Sequence, residues 1–197
     1  MKLSILMCTV IERCDSFAPD LLRFIQMQKR KYTHGDQVQI IYLGDDQEMS
    51  VGEKRNLLMN MAKGEYMCFV DDDDRVTHNY VEAIMGDLLQ HPNKDVYTFK
   101  VSYSDGSEHH QSPVDYSLHY TQDKNLKTKF ERIPNHLMVF KTALARKVQF
   151  RNINKGEDAY WAKEIKPLLK TEHKIEKHLY FYNWSFETSL TQGRNSK

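Results

Sequence analysis

Short apolar runs alternate with amphipathic stretches along the first hundred residues of the chain. A short apolar run predicts a buried strand, whereas apolar side chains three and four positions apart predict one face of a helix. Buried strands are predicted at residues 3–7, 38–43, 66–70 and 96–101. Helices are predicted at residues 20–31, at residues 52–63, and from an N-cap at Thr77 to a stop before Pro92. The alternation predicts an α/β fold with a mostly parallel central sheet and helices on both faces.

The second half of the chain is less regular. Residues 102–120 are polar and rich in Ser, His and Asp, and this stretch is predicted to be a long loop. Beyond it, residues 136–140 and 179–184 predict two more strands, and residues 157–169 predict a helix whose last turn is disturbed by Pro167. The chain has no internal repeat and no linker rich in Pro, Gly or Ser. Residues 1–197 are therefore predicted to form a single domain.

A run of four aspartates ends the third predicted strand, which reads YMCFVDDDDR from Tyr66 to Arg75. The carboxyl ends of strands are where open α/β sheets bind their ligands. Four carboxylates this close repel one another, and a divalent cation relieves the repulsion. Oxygen ligands favour Mg²⁺ or Mn²⁺ over Zn²⁺, and such a cation completes its shell with phosphate oxygens and water. The sequence thus predicts a metal site for a diphosphate ligand; the alternative is a solvated acidic turn that caps the next helix.

Acidic and basic side chains are unevenly distributed, although the totals of 28 Lys and Arg and 27 Asp and Glu nearly cancel. Residues 1–120 carry 12 basic and 19 acidic side chains, a net charge of −7. Residues 121–155 carry 9 basic and 2 acidic side chains, a net charge of +7. An acidic half able to hold a cation is followed by a basic stretch able to face an anion.

The chain has three cysteines, Cys8, Cys14 and Cys68. A small, odd number of cysteines argues against a disulfide framework and fits a reducing compartment. The opening MKLSILMCTV reads as a first strand and lacks the longer apolar region and cleavage site of a signal peptide. No segment approaches the roughly 18 apolar residues of a membrane span. These features predict a cytoplasmic protein.

Three further polar stretches follow strands or open a helix. They are Thr9 to Arg13 after the first strand, Gly44 to Asp46 after the second, and Gly52 to Asn56 at a helix start. The first stretch contains groups suited to a base or phosphate, and the second an acidic group suited to a base or ribose. The third combines a helix N-terminus with Lys54 and Arg55, which attract anions. A salt-bridging loop, an Asx-turn and solvated charges are the respective alternatives.

The order of these segments, with AKGEYMCFVDDDD at their centre, resembles the nucleotide-binding half of the GT-A glycosyltransferases, and specifically the inverting family-2 group. Residues 38–75 carry most of the resemblance, which covers the first half of the chain well and the second half loosely. It implies that residues 1–100 bind the nucleotide sugar and the metal, and that residues 101–197 bind the acceptor.

The resemblance also implies roles for individual residues. Thr9 and Glu12 match the loop that touches the nucleotide base, with Arg13 beside them. Asp45 matches the residue that holds the base, with Asp46 beside it, and Arg55 and Asn56 match the helix start under the donor. Asp71 and Asp73 match the D-x-D pair, with Asp73 in direct contact with Mn²⁺ or Mg²⁺, and Asp71 and Asp72 are also expected to contact the nucleotide sugar. Four consecutive aspartates leave the register of the pair open by one residue.

The second half contains the pair Glu157 and Asp158 at a predicted helix start. Family-2 enzymes have a similar pair in which one carboxylate is the general base, and Asp158 is expected to fill that role, with Glu157 beside it. A base is needed because the acceptor hydroxyl loses its proton as it attacks the anomeric carbon. The alternative is that both carboxylates only favour the helix dipole. Some family members use a late histidine as a further metal ligand, and His178 is the residue that would match it.

The resemblance implies an inverting, metal-dependent hexosyl- or pentosyltransferase, with UDP as the default nucleotide and a free hydroxyl on the acceptor. A set of basic residues suggests an anionic acceptor, either a glycan or nucleic acid with a hydroxylated base, although a merely solvated face explains them equally. They are Lys124, Lys127, Lys129, Arg132, Lys141, Arg146, Lys147 and Arg151. Two other functions stay open: nucleotidyl transfer, which expects a Gly-rich loop after the first strand, and a non-catalytic module that binds nucleotide or polyanion on the same fold.

Overall fold

The computed structural model describes residues 1–13, 17–104 and 111–183. Within these ranges the strands are β1 (Leu3–Val10), β2 (Val38–Asp45), β3 (Tyr66–Phe69), β4 (Arg75–Val76), β5 (Val96–Ser104), β6 (Gln111–Tyr116), β7 (Lys124–Asn125), β8 (Phe130–Arg132), β9 (Val139–Lys141) and β10 (Glu172–Asn183). The helices are α1 (Phe17–Lys31), α2 (Val51–Met61), α3 (Tyr80–Gln90), α4 (Thr142–Ala145) and α5 (Glu157–Ile165).

The long strands run in one direction and form the centre of a single sheet. β1 lies between β2 and β3 and is parallel to both, with Leu3 opposite Val38 on one side and Tyr66 on the other. The short β9 runs antiparallel between β3 and β5, and β10 runs parallel to β5. The predicted α/β fold with a mostly parallel central sheet is therefore confirmed.

The sheet forks beside β5. β10 pairs with β5 from Val96 to Ser104, so β9 and β6 must share its other edge. β9 takes the beginning of that edge and β6 its end, and β8 and β7 continue outward from β6. The end of β3 is thereby separated from β6 and β8, and a cleft opens between them.

Helices cover both faces of the sheet. α1 leads from β1 to β2, and α2 leads from β2 to β3. β2 and β3 flank β1 on opposite sides. Because parallel crossovers are right-handed, α1 and α2 lie on opposite faces. α1 packs against α3 and α2 against α5, and β1 between the layers is buried along almost its whole length.

The prediction of a long loop at residues 102–120 is wrong over much of that range. β5 continues to Ser104, and β6 pairs with it antiparallel, with Val101 opposite Val114. Val114 and Tyr116 are buried at a two-residue spacing, a strand pattern that the surrounding polar residues hide in the sequence. Residues 105–110 of that loop lie outside the described residues.

Other element bounds also differ from the sequence prediction. The helix predicted at residues 157–169 ends at Ile165 and continues as a 3₁₀ turn, Lys166–Leu168, because Pro167 supplies no N–H. The last strand begins at Glu172 rather than at residue 179, and Trp184 lies outside the described residues. The strand predicted at residues 136–140 is limited to Val139–Lys141, so His136 sits in the turn before it. Among the described residues, no helix combines the length and apolarity needed to cross a bilayer.

Candidate active site

The cleft at the fork has a volume of about 500 Å³. The ends of β1 and β3 and the first turn of α2 form one wall, β6 and β8 form the other, and the start of α5 closes one end. Most of the site residues predicted from the sequence converge here. The charged and polar lining includes Thr9, Arg13, Lys54, Arg55, Asp71, Asp72, Asp73, His136, Glu157 and Asp158.

The four consecutive aspartates have different surroundings. Asp74 is buried beneath the cleft, where it accepts hydrogen bonds from the Tyr180 hydroxyl at 2.7 Å and from the Asn183 backbone N–H at 2.8 Å. Burial, followed by the charge of Asp71, raises the pKa of Asp74 well above its ordinary value. Asp74 therefore fastens β10 beneath the acidic segment and does not face a ligand.

Asp72 is held by two residues from the loop after β1. Its carboxylate accepts hydrogen bonds from Thr9 Oγ1 at 2.8 Å and from Arg13 Nη1 at 2.5 Å. Burial raises the pKa of Asp72, and the charge of Arg13 opposes the rise. Thr9 and Arg13 thus join the end of β1 to the end of β3 and line the cleft at their junction.

Asp73 is the aspartate of this run that is best placed for a cation. Its side chain lines the cleft, retains 21% of its exposure, and lies 3.4 Å from Arg13 Nη1. Burial and the neighbouring charge of Asp71 raise the pKa of Asp73 to about 6, so its ionisation is less favourable than that of an ordinary aspartate. A partly exposed carboxylate among like charges fits a hard cation such as Mg²⁺ or Mn²⁺.

Asp71 begins a buried ionic network. Arg55 donates from Nη2 to Asp71 at 2.9 Å, and its Nη1 forms an ion pair with Glu157 at 3.0 Å. The guanidinium also lies 5.6 Å from the ring centroids of Phe69 and Phe150, an environment that suits arginine better than lysine. Burial alone would raise the pKa of Asp71, but the charges of His136 and Arg55 outweigh it and hold the pKa below its usual range.

His136 extends this network to the other carboxylate pair, and sequence reasoning had assigned it no role. Its Nε2 lies 3.0 Å from Asp71, and its Nδ1 lies 3.5 Å from Asp158. Within the described part of the chain, His136 Nδ1 and Arg55 Nε are buried without a hydrogen-bond partner. Such unpaired polar atoms beside the cleft fit a site that is completed by a ligand.

Glu157 and Asp158 open α5 and differ in exposure. Glu157 is buried against Arg55, and burial, with the charge of Asp158 added to it, raises its pKa. The Asp158 side chain keeps 32% of its exposure and borders the cleft, and one of its oxygens accepts from the Ala159 N–H. Asp158 is thus the carboxylate of this pair that an incoming hydroxyl can reach.

Lys54 was predicted only to attract anions at the start of α2, and the family resemblance gave it no role of its own. α2 begins after Ser50, which caps the Glu53 N–H, and this start delivers Lys54 to the cleft. Lys54 is buried in an ion pair with Asp45 and donates to the carbonyl of Thr9 at 3.0 Å. Asp45 therefore lies behind Lys54 and does not line the cleft itself.

Besides Asp45, four predicted site residues do not line the cleft. Asn56 uses its amide to bind both backbone groups of Phe150, so it fastens α2 to the later chain. His178 lies 3.3 Å from Ser102 on β5 and does not border the aspartates. Glu12 and Asp46 are exposed and lie outside the lining.

Some of the basic residues that were predicted to face an anionic acceptor instead make contacts within the protein. Arg146 donates to the carbonyls of Met59, Asn60 and Ala62 at the end of α2. Arg151 pairs with Glu164. The residues that remain beside the cleft belong to the β7–β8 hairpin, residues 124–132, of which Asn125, Phe130 and Arg132 line it.

Comparisons with known proteins identify the family and the fold. The family model described as "Glycosyl transferase family 2" matches residues 23–153. The structure is similar to S. aureus TarS residues 1–349 in complex with UDP-GlcNAc, with a TM-score of 0.73 and 16% identity, over 100% of this chain and 62% of that chain. The same TarS fragment in complex with UDP gives a TM-score of 0.69 and 17% identity, over 95% of this chain and 62% of that chain.

The chain thus spans less than two thirds of the length of these TarS fragments. No curated protein sequence matches it. At this level of identity, the TarS structures show the fold, which is GT-A. The family match itself extends over more than half of the chain, and the chain therefore belongs to glycosyl transferase family 2.

Proposed function

We propose that this protein is an inverting, metal-dependent glycosyltransferase that moves a sugar from a nucleoside diphosphate to an acceptor hydroxyl. The observation that carries the proposal is the buried link from Asp71 through His136 to Asp158. Through this link, the acidic end of β3 and the partly exposed carboxylate of Asp158 on α5 border the same cleft. Transfer with inversion needs these two functions, a charged donor site and a base, within reach of one anomeric carbon.

In the proposed reaction Asp158 accepts the proton of the acceptor hydroxyl. The hydroxyl oxygen forms a bond to the anomeric carbon while the bond from that carbon to the diphosphate oxygen breaks. The leaving nucleoside diphosphate keeps the electron pair, so no separate general acid is required. A single displacement of this kind inverts the anomeric configuration.

The donor side of the cleft combines acidic and basic groups. Asp73, together with Asp71 in the same cleft lining, would hold Mn²⁺ or Mg²⁺, which when bound supplies positive charge to the departing diphosphate. Lys54 and Arg13 add fixed positive charge in the same wall, and each is already oriented by an aspartate. Glu157 keeps Arg55 in place from the α5 side, so the donor wall and the α5 end of the cleft share one electrostatic network.

UDP is the favoured nucleotide. The support is that the TarS structures similar to this chain hold UDP-GlcNAc and UDP, together with the family resemblance of residues 38–75. We extend this proposal to a UDP-sugar donor without assigning the sugar. The sparse cysteines, with Cys8 and Cys68 both free, favour a reducing compartment such as the cytoplasm.

The acceptor is proposed to be anionic, either a glycan or a modified nucleic acid. Lys124 and Lys127 are exposed on the β7–β8 hairpin, from which Asn125, Phe130 and Arg132 line the cleft. They are therefore near the path of an acceptor that approaches Asp158. Charges so placed attract an anion and make its binding sensitive to salt.

The test is a product assay with the full chain, a panel of UDP- and GDP-sugars, and either Mn²⁺, Mg²⁺ or EDTA. The proposal expects release of a nucleoside diphosphate that requires the cation and is lost in Asp158→Asn. Release of sugar 1-phosphate, the leaving group when a nucleotidyl group is taken from a nucleoside diphosphate sugar, would instead indicate nucleotidyl transfer, and binding without any turnover across acceptors would indicate a non-catalytic module. Activity that persists in full in EDTA would contradict the metal dependence.

A further inference from the structure

A second cluster of ionisable side chains lies at the end of α3. Asp87 and His91 are four residues apart there, so they share one side of the helix end. His173, near the start of β10, lies against them: its Nε2 is 2.7 Å from Asp87 Oδ1, and its ring stacks on that of His91 with centroids 4.0 Å apart. One ligand atom from each of the three side chains lies within 4.8 Å of the other two.

This cluster is remote from the cleft. His173 is near the first residue of β10, whereas Tyr182, near its last residue, lines the cleft. A strand advances about 3.3 Å per residue, so the two are separated by roughly 25–30 Å along β10. The cluster therefore cannot share a ligand with Asp73, and what it does is independent of the proposed transfer reaction.

We propose that Asp87, His91 and His173 bind a divalent transition-metal ion, for which Zn²⁺ is the best match. Two imidazoles and one carboxylate are ligands that Zn²⁺ accepts in tetrahedral geometry, with water in the fourth position. Mg²⁺ and Ca²⁺ prefer oxygen ligands only, so they are poorly suited to a site with two nitrogen ligands. The donor set thus differs in kind from the all-carboxylate set in the cleft.

Part of this site is already assembled. The Tyr97 hydroxyl donates to the backbone carbonyl of His91 at 2.7 Å, and the Tyr97 ring packs edge-on against the ring of His173. Tyr97 therefore positions both histidines from β5. The cation takes the place of the hydrogen bond between His173 and Asp87, so its binding becomes weaker as the solution is acidified.

The remaining adjustment falls on His91. The two imidazole rings are stacked at an interplanar angle of 20°, so their nitrogen lone pairs do not point to a common centre. Metal–ligand bonds of about 2 Å in tetrahedral geometry place the ligand atoms roughly 3.3 Å apart. In this structure the ligand atoms of the three side chains are spread over distances of up to 4.8 Å, so they must move closer together. His91 is exposed and lies just after the last residue of α3, so its side chain can turn without displacing the core.

A bound cation would connect the end of α3 to the start of β10. Because a ligand that binds only the native state stabilises it, Zn²⁺ should raise the unfolding temperature. The experiment uses the full chain carrying Asp73→Asn, so that cation binding in the cleft does not contribute. After treatment with EDTA and its removal, Zn²⁺ is titrated by calorimetry and by thermal unfolding.

We expect one Zn²⁺ per chain, and at least about tenfold weaker binding after His91→Ala. His34→Ala is the matched control, since His34 is also exposed but lies beside Tyr32 on another part of the surface. A Co²⁺-loaded sample should show the visible absorption of a tetrahedral site, and His91→Ala should remove it. The proposal is overturned if Zn²⁺ does not bind at micromolar concentration, or if His91→Ala binds it as tightly as the Asp73→Asn parent.

Discussion

His136 Nε2 lies 3.0 Å from the carboxylate of Asp71, although 65 positions separate the two residues in the sequence. The other nitrogen of the ring lies 3.5 Å from Asp158, and His136 is 4% exposed. One buried imidazole thus connects the end of β3 with the start of α5. The ring therefore contacts the acidic segment after β3 and the proposed base at the same time.

Replacing His136 is therefore expected to impair turnover more than donor binding. We predict that His136→Ala lowers kcat by about 100-fold, because a small displacement of a reacting group can cost that much, while the KM for the nucleotide sugar changes little. His136→Gln should recover part of the loss, since its amide nitrogen can reach Asp71 in place of Nε2. Steady-state kinetics at saturating donor provide the measurement.

His119→Ala is the control for this comparison, because His119 is exposed and does not line the cleft. Thermal unfolding of each variant separates a positioning effect from a loss of fold. Equal kcat in His136→Ala and the unchanged protein would show that the ring does not position either carboxylate.

Asp158→Asn removes the proposed base and preserves the shape of the side chain. General-base catalysis contributes about 10²–10⁴-fold, so kcat should fall by that range. Binding of UDP in the presence of Mn²⁺ should remain within about threefold, since Asp158 contacts the acceptor side of the cleft. If Asp158→Asn lowers kcat only mildly and Glu157→Gln lowers it severely, Glu157 and not Asp158 is the general base.

Asp73→Asn tests the proposed cation ligand. In the unchanged protein, UDP should raise the unfolding temperature more with Mn²⁺ than with EDTA, because the cation and nucleotide bind together. That difference should disappear in Asp73→Asn and persist in Asp46→Asn, which alters an exposed aspartate outside the cleft. A Mn²⁺-dependent shift that survives Asp73→Asn would move the metal to another carboxylate.

The charges of the β7–β8 hairpin should matter for the acceptor and not for the donor. Changing Lys124 and Lys127 to Gln is expected to raise the acceptor KM and to flatten its dependence on salt, with the donor KM unchanged. Arg30 and Lys31 provide the matched pair, because they end α1, and no residue of α1 lines the cleft, whereas the β7–β8 hairpin contributes Asn125, Phe130 and Arg132. If the acceptor KM depends equally on salt in both double variants, the proposal that the acceptor is anionic is contradicted.

Local sequence patterns were sufficient to predict the strands that are continuous apolar runs. β1, β2 and β3 are apolar runs, and the acidic segment after β3 lies at the strand end where it was predicted. Gly64, in the segment that carries the family resemblance, is required by close approach, since a Cβ there would lie 2.5 Å from the backbone nitrogen of Ser4.

Contacts across long sequence separations could not be read in the same way. His136 gives no local signal, because its partners come from β3 and from α5. Asn56 was predicted to serve the donor, but both its amide groups are used by Phe150, which lies 94 positions later. β6 was missed because its buried side chains alternate with polar ones in a stretch that resembles a loop.

The buried pair of Asp45 and Lys54 yields a prediction about stability and pH. Burial alone would raise the pKa of Asp45, but hydrogen bonds from Lys54 and from the Met49 N–H outweigh it and lower the pKa. An aspartate whose pKa is lowered on folding stabilises the native state above its unfolded pKa of about 3.9, and this contribution is lost as the pH falls through the lower folded value.

Asp45→Asn should therefore cost about 3–5 kcal/mol at pH 7, because it leaves the Lys54 ammonium buried without its counter-ion. The two proteins should begin to converge in stability as the pH falls below about 3.9, and the charge contribution should vanish only below the lowered folded pKa, where protonated Asp45 is as neutral as asparagine. Urea unfolding at several pH values measures the difference, and Asp46→Asn, which alters the exposed neighbour, should change little at any pH. A constant difference between Asp45→Asn and the unchanged protein from pH 7 to pH 3 would mean that packing, and not the charge of Asp45, holds Lys54 at the cleft.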